Sequence, residues 1–395
     1  MPPPIGGKIG LPWPAMRVLH TSDWHVGRTF HGRDLLAEQE AVLGGLANLV
    51  SDERVDVLVV SGDLYDRAVP SAEAVEACAW ILAQIAEAGA QIIITPGNHD
   101  SAPRLGAFAG FAQAGGLHLR TTIAELHKPV VLPDEHGPVA FYGIPYLEPE
   151  PARHVLGDLE LRGHAAVLGE AMRRVKEDLQ TRKSRSVVLA HAFVIGGETS
   201  DSERTIAVGG VPHVPGSLFD GIDYAALGHL HGPQVLAEHL RYSGSPLAYS
   251  FSEARHRKSV WLVELDESGL AGVERRELPV PRALATARGD LQELLTEPRY
   301  EDLVEKFLSV ELTDPVRPID AMRRLQERFP HAVHLDWRPE GGRPVARRYT
   351  EAVRGRSDEQ VACCFVEDAR KSAPTNAERA LLREALAAVA GKEPE

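Results

Sequence analysis

The sequence predicts an α/β protein, and two observations carry that prediction. Short β-branched runs alternate with amphipathic stretches through the first two thirds of the chain. Five of the apolar runs each end within two to four residues of a cluster of Asp, Asn or His. Ligands of open α/β sheets bind beyond the carboxyl ends of the strands, so the same pattern that gives the fold class also describes a site.

Taken in order, residues 1–15 are rich in Pro and Gly and read as a flexible extension. Strands are expected at 17–20, 57–60, 92–94, 187–189 and 225–227, where the apolar runs are continuous and so suit strands covered on both faces. A helix is expected over 71–88: Pro70 and Ser71 open it, Glu73 sits in the first turn and Gly89 closes it. A second helix is expected over 163–180. After about Glu277 the pattern changes. Pro279 and Pro281 mark a linker, and strands at 305–313 and 331–336 flanking a helix at 319–329 form a small α+β module. Residues 343–356 carry five arginines and read as a mobile connection. Two amphipathic helices end the chain, the second over 376–390 with Leu381, Leu382, Ala385, Leu386 and Val389 on one stripe. The expected division is therefore 1–15, 16–280, 281–342 and 343–395.

Composition narrows the functional classes. A chain of 395 residues, 44% hydrophobic and 25% charged, has the make-up of an ordinary globular protein of two or three domains. Lys and Arg number 43 against 56 Asp and Glu, a formal net charge of −13. Nonspecific DNA affinity comes from neutralising phosphates, so any work on DNA needs metal ions, a local basic patch or a partner. Cys78, Cys363 and Cys364 form no disulfide framework and fit a reducing cytoplasm. The adjacent pair, Cys363 and Cys364, reads as core packing. No apolar run approaches membrane-spanning length, and the cytoplasm is the expected location.

Five polar blocks follow the five runs: Ser22-Asp23-Trp24-His25, Gly62-Asp63-Leu64-Tyr65-Asp66, Gly97-Asn98-His99-Asp100, Ala190-His191-Ala192 and Gly228-His229-Leu230-His231. Oxygen and imidazole donors without cysteine suit Mn²⁺, Fe or Zn²⁺ rather than Ca²⁺ or Mg²⁺. Asp23 with His25, and His229 with His231, are spaced by two, so each pair points to one side of an extended segment. With Asp66, His99 and Asp100 set aside, seven donors remain, too many for one ion and about right for two. Asp63, following a central strand, is the expected bridge between two ions about 3.5–4 Å apart.

These blocks, D-x-H, G-D-x-x-D, G-N-H-D, a lone His and G-H-x-H in this order, resemble the calcineurin-like metallophosphoesterase family. The segments Leu19-His-Thr-Ser-Asp-Trp-His-Val-Gly, Tyr142-Gly-Ile-Pro-Tyr, Tyr242-Ser-Gly-Ser-Pro and Phe251-Ser-Glu are similar to those of its SbcD-type nuclease branch. The resemblance implies a two-sheet β-sandwich with helices outside, a capping domain, and C-terminal helices that bind the coiled-coil base of an SbcC-type ATPase. It further implies that Asp23, His25, Asp63 and His231 hold one metal and Asp63, Asn98, His191 and His229 the other. His99 would be the acid that steadies the leaving oxygen, with Asp66 orienting and charging it. The implied assembly is a homodimer joined to two ATPase chains, acting on DNA.

The implied activity is Mn²⁺-dependent hydrolysis of DNA phosphodiesters: endonuclease on single strands and, with the ATPase, ATP-dependent 3′–5′ exonuclease and hairpin cleavage in repair and recombination. A small-molecule nucleotide phosphoesterase of the same fold is the competing reading. Trp24 and the domains after residue 280 separate the two, since a minimal phosphoesterase needs neither. Arg28, His31 and Arg104 sit just past motif loops and read equally as phosphate contacts or as solvated side chains. The basic run Arg255-His-Arg-Lys258 reads as a DNA contact or a solvated loop. Asp100 reads mainly as a cap on the following segment.

Overall fold

The computed structural model describes residues 15–203, 213–339, 356–370 and 373–390. The N-terminal extension to residue 14 and nearly all of the arginine-rich connection lie outside them. Strands of three residues or more are numbered here.

The described residues up to Thr286, with Glu305–Leu308, form one compact unit. One six-stranded sheet runs β12-β11-β1-β2-β3-β4, built from β1 (Met16–Thr21), β2 (Val57–Ser61), β3 (Gln91–Thr95), β4 (Leu117–Leu119), β11 (Ser259–Asp266) and β12 (Gly269–Glu277). Strands β1 to β4 are parallel, while β11 and β12 form an antiparallel hairpin beside β1. The second sheet runs β9-β10-β8-β7-β6-β5, from β5 (Val130–Asp134), β6 (Gly137–Ile144), β7 (Arg185–His191), β8 (Tyr224–Gly228), β9 (Gln234–Ala237) and β10 (Leu240–Tyr242).

The two sheets face each other. Val18, Val57, Val59 and Ile93 of the first pack with Phe141, Val187, Leu189, Tyr224 and Ala226 of the second. Alternation does this: Met16, Val18 and His20 of β1 point inward, as do Val57 and Val59 of β2. The intervening Leu19, Leu58 and Val60 are equally buried, which is why these strands read as continuous apolar runs. Outside the second sheet, the helices Pro149–Leu156 and Gly163–Arg182 bury Ala152, Leu156, Val167, Leu168, Ala171 and Met172 in a second core cluster. The helix Ala72–Glu87 starts at Ser71, whose side chain accepts from the Ala74 N–H at 3.2 Å. The helix Leu36–Asp52 has no counterpart in the sequence expectation, because Gly44-Gly45 interrupts its apolar face.

The second unit holds Ala287–Val304 and the described residues from Ser309 onward. The expectation drew the boundary at 280, from the linker prolines. A three-stranded sheet, β13 (Leu284–Gly289), β14 (Phe307–Leu312) and β15 (Ala332–Trp337), starts before that division and continues into this unit. Its core includes Leu291, Leu294, Val310, Leu312, Leu325 and Phe329. The helix expected over 319–329 begins at Ala321, leaving Ile319 exposed.

Two helices, Asp358–Arg370 and Asn376–Ala390, complete the described chain. Cys363 and Cys364 are only half-buried, which corrects the expectation of core packing: a two-helix pair lacks the thickness to enclose them. No helix among the described residues is long and apolar enough to cross a membrane.

Candidate metal centre

All five parallel strands that precede the polar blocks end at one edge of the sandwich, and the blocks meet there. Asp23 and His25 follow β1, Asp63 follows β2, Asn98 and His99 follow β3, His191 ends β7, and His229 and His231 follow β8. Asp23, His25, Asp63, His191, His229 and His231 are all at most 4% exposed. Asp23, His25, Asp63 and His229 hold φ of +54°, +46°, +51° and +103°, a region that costs non-glycine residues about 1–2 kcal/mol each. Such bends turn the donors inward. The chain stays this close only because glycines stand at the contacts. A Cβ on Gly62 would lie 2.2 Å from His191 Nδ1, and one on Gly97 2.2 Å from Asp63 Oδ1. On Gly228 it would lie 1.8 Å from the Ser61 carbonyl oxygen.

Asp63 sits in the middle. Its Oδ2 lies 3.6 Å from His25 Nε2 and 3.4 Å from His191 Nε2, while Oδ1 accepts the His99 N–H at 2.8 Å. His25 Nε2 meets His231 Nε2 at 3.2 Å. His191 donates Nδ1–H to the Ser61 carbonyl at 3.0 Å, which turns Nε2 toward Asn98 Oδ1 at 2.9 Å. Asp23 accepts the His229 N–H, at 3.0 Å and 3.1 Å to its two oxygens. The His229 ring centroid is 5.3 Å from that of His191.

Three sets of buried groups have ligand atoms mutually within 4.8 Å: Asp23, His25 and His231; His25, Asp63 and His99; and Asp23, Asp63 and His191. The first and third share Asp23, and Asp63 belongs to the second and third. The donor set fits a divalent metal. Potential ligand atoms of His25 and His231, and of His191 and Asn98, come within contact distance, and the buried Nδ1 of His25 makes no hydrogen bond.

The electrostatics agree. Burial lowers His191, but Asp63 and Asp23 more than offset it and hold the imidazole up at about 9. Burial raises Asp23 to about 6 against the pull of His191 and His231. Burial also raises Asp63, yet His191, His25 and His99 together hold it well below the usual carboxylate range. Burial pushes His229 down to about 3. This cleft retains a positive charge, as a proton or as a metal ion.

The remaining predicted residues divide. His99 comes into the cleft, its ring centroid 4.6 Å from that of His25. Its Nδ1 bonds the main-chain carbonyl of Asp66 at 2.7 Å, whereas the Asp66 carboxylate is 4.0 Å away. The hydrogen bond that orients His99 thus comes from the Asp66 main chain, with the carboxylate at ion-pair distance from the same nitrogen. The carboxylate lies 3.5 Å from Arg28 and 3.6 Å from His25 Nδ1, because the backbone carbonyl occupies the nearer position. Asp100 accepts three backbone N–H groups, from Leu64, Tyr65 and Gly97, at 2.9–3.0 Å, which ties the second and third blocks together. Arg28 borders the cleft, donating to the Ser202 carbonyl and lying over the Tyr249 ring. His31 and Arg104 are exposed. Trp24 is wholly buried and donates to Thr21, so it packs the loop and faces no substrate.

Sequence reasoning missed the groups behind the cleft. Lys258, read as part of a basic surface run, is 3% exposed and paired with Glu253. The Phe251-Ser-Glu segment was the one signal pointing to that carboxylate. Arg255 and Arg257 of the same run are exposed, and Arg257 pairs with Glu277 at 3.2 Å.

A family model described as calcineurin-like phosphoesterase matches residues 16–233, more than half of the chain. The protein belongs to that family. It is a metal-dependent phosphoesterase, and its two sheets flanked by helices are the family's sandwich. A second model, the SbcD C-terminal model described as Type 5 capsule protein repressor C-terminal domain, matches residues 280–370, and the two matches in tandem support an SbcD-type organisation. Among solved structures, the chain is similar to TT1561 of Thermus thermophilus at 16% identity and a TM-score of 0.40, covering 67% of this chain and 99% of that one. It is similar to GAP50 of Plasmodium at 12% identity and a TM-score of 0.40, covering 84% and 99%. A dimetal phosphatase from Danio rerio matches at 12% identity and a TM-score of 0.37, covering 67% and 100%.

Proposed function

We propose that the protein is a Mn²⁺-dependent DNA nuclease subunit that hydrolyses phosphodiesters at a two-ion centre and works with an SbcC-type ATPase in DNA repair and recombination. The observation that carries the reading is the position of Asp63 Oδ2 between His25 Nε2 and His191 Nε2, 3.6 Å and 3.4 Å away. On this reading Asp23, His25, Asp63 and His231 hold one ion and Asp63, Asn98, His191 and His229 the other. Two divalent ions, when bound, supply charge stabilisation to the phosphodiester oxygens and activate a water nucleophile at neutral pH.

The chain's own groups do the rest. His99 must donate Nδ1–H to the Asp66 carbonyl, because a carbonyl only accepts. Its Nε2 therefore carries the proton that the imidazolium hands to the departing deoxyribose oxygen. Asp66 acts through this main-chain carbonyl, and its carboxylate balances Arg28. Arg28, His31 and Arg104 are taken as contacts to flanking phosphates, supported for Arg28 by its place at the cleft and for the other two by exposure.

The SbcD C-terminal match and the exposed apolar residues Phe365 and Leu381 on the last helices support ATPase docking there. Phe108 and Phe111, 73% and 84% exposed, support a homodimer face. With the ATPase, the reading extends to ATP-dependent 3′–5′ exonuclease action and hairpin opening. The thiols of Cys78, Cys363 and Cys364, none in a disulfide, support a cytoplasmic setting.

The test is cleavage of single-stranded and hairpin DNA with Mn²⁺, set against nucleotide hydrolysis by the same preparation. DNA cutting that His99→Ala lowers at least about 100-fold, with both ions retained by elemental analysis, is the expected result. Turnover of nucleotides alone would replace the nuclease reading with the small-molecule phosphoesterase. Loss of the ions in His99→Ala would make His99 a ligand.

A further inference from the structure

Behind His231 runs a buried polar chain that the metal reading leaves unused. Lys258 Nζ, inside the protein, donates to the His231 carbonyl at 2.9 Å, to Ser245 Oγ at 2.9 Å and to the Glu253 carboxylate. The other oxygen of Glu253, a residue 1% exposed, takes the Ser202 hydroxyl and, at 3.3 Å each, the Ser200 hydroxyl and the Tyr249 N–H. Ser202 Oγ then lies 2.6 Å from His231 Nδ1. Glu203 accepts the His231 N–H at 2.9 Å, so the ring is approached from its backbone and from its far nitrogen by one short segment.

We propose that Glu253, locked by Lys258 and acting through Ser202, is the positioning group that fixes His231 with its proton on Nδ1 and its Nε2 lone pair in the cleft. Ser202 Oγ also lies 3.0 Å from Ser200 Oγ, whose own proton goes to Glu203 or Glu253, and His231 Nδ1 lies 3.5 Å from the Glu253 carboxylate, so the ionised carboxylates set the direction of the chain. A carboxylate facing an ammonium group is ionised and only accepts, so the single Ser202 hydroxyl proton points to Glu253. Ser202 Oγ can then only accept from His231, whose Nδ1 must carry the hydrogen. The neutral imidazole has one hydrogen, which leaves Nε2 bare where it meets His25 Nε2 at 3.2 Å. Were the serine proton turned to His231 instead, two oxygens would face each other without a hydrogen between them. Outer partners that orient a ligating imidazole in this way commonly change metal affinity 10- to 100-fold when removed. Ser202 and Glu253 touch no reacting atom in this scheme; they act through His231.

The inference rests on the two-ion reading above, and its test keeps the two apart. In the full-length protein, Ser202→Ala is expected to weaken one of two Mn²⁺ binding events about 10- to 100-fold by calorimetric titration, with the metal-free unfolding temperature close to wild type. Ser202→Thr, which restores the hydroxyl, should recover tight binding. In metal-free protein, two-bond ¹⁵N–¹H correlation spectra should give His231 as the Nδ1–H tautomer, and Ser202→Ala should turn it into a mixture. Glu253→Gln should act in the same direction, but it leaves Lys258 buried without its counter-charge, so Ser202 carries the test. Wild-type Mn²⁺ affinity in Ser202→Ala, no recovery in Ser202→Thr, or an Nε2–H tautomer in the wild type would each overturn the proposal. A wild-type protein that binds fewer than two ions would strike the metal reading instead, and the tautomer measurement would still judge the serine–glutamate chain by itself.

Discussion

Nδ1 of His20 lies 2.9 Å from the Tyr224 hydroxyl and Nε2 lies 3.2 Å from the Leu227 carbonyl, with the ring fully enclosed between the sheets. The neutral ring satisfies both, accepting from Tyr224 and donating to Leu227. Burial first, and the charge of Arg241 with it, draw its pKa from the ordinary 6.5 down to about 3, against the hydrogen bond to Leu227. The consequence for stability has a definite sign. Below pH 6.5 the unfolded chain binds a proton that the folded chain refuses, so stability falls as pH drops from about 6.5 toward 3. One such group removes at most about 1.4 kcal/mol per pH unit. Urea unfolding between pH 7 and pH 5 should therefore show a shallower pH slope for His20→Gln than for the wild type. Parallel slopes would mean that His20 takes up its proton in the folded state.

At the scale of elements, the two sheets touch backbone to backbone at the site. The Ser61 carbonyl at the end of β2 takes the His191 Nδ1–H and stands where a side chain on Gly228 of β8 would be. Gly228→Ala should cost about 3 kcal/mol or more, the upper end for overpacking, because the obstacle is backbone and cannot swing away. A urea midpoint equal to wild type would show that the strand ends can part at little cost.

The strands that carry this contact were legible in the sequence because both of their faces are covered, so apolar runs and polar blocks stand side by side. The hairpins β5–β6 and β11–β12 were not read, since they carry no such block. Lys258 was misread for a related reason. Among Arg255, His256 and Arg257 it looks like one more surface cation, and nothing local tells that its ammonium turns inward to Glu253. The distinction between the Asp66 carbonyl and its carboxylate was likewise beyond a sequence, which records side chains and not which way a backbone faces.

Over the whole molecule, the proposed metal ligands and the proposed ATPase-docking helices occupy different stretches of chain. All seven proposed ligands fall between residues 23 and 231, within the match to the phosphoesterase model, and the last two helices belong to the other compact unit. The stripe foreseen on the final helix is only partly covered: Leu381 is 65% exposed, Ala385 is exposed, and Leu382 and Leu386 are half-buried, while the side chain of Val389 lies outside the described residues. Deleting residues 357–395 should leave Mn²⁺-dependent cutting of single strands within about twofold and abolish co-purification with the coiled-coil ATPase. Continued co-purification would move the docking surface off these helices. The division between the units was only roughly legible, because each unit is assembled from two separate stretches, Glu305–Leu308 returning to the first, and a linear reading of prolines cannot register such a return.

On the two-ion reading, the left-handed bends at Asp23, His25, Asp63 and His229 set heat tolerance against turnover. Glycine at any of them would relax the backbone, and the same exchange would delete a donor from the cleft. A programme that sought only a hardier protein would arrive first at these four dihedral angles and silence the enzyme there.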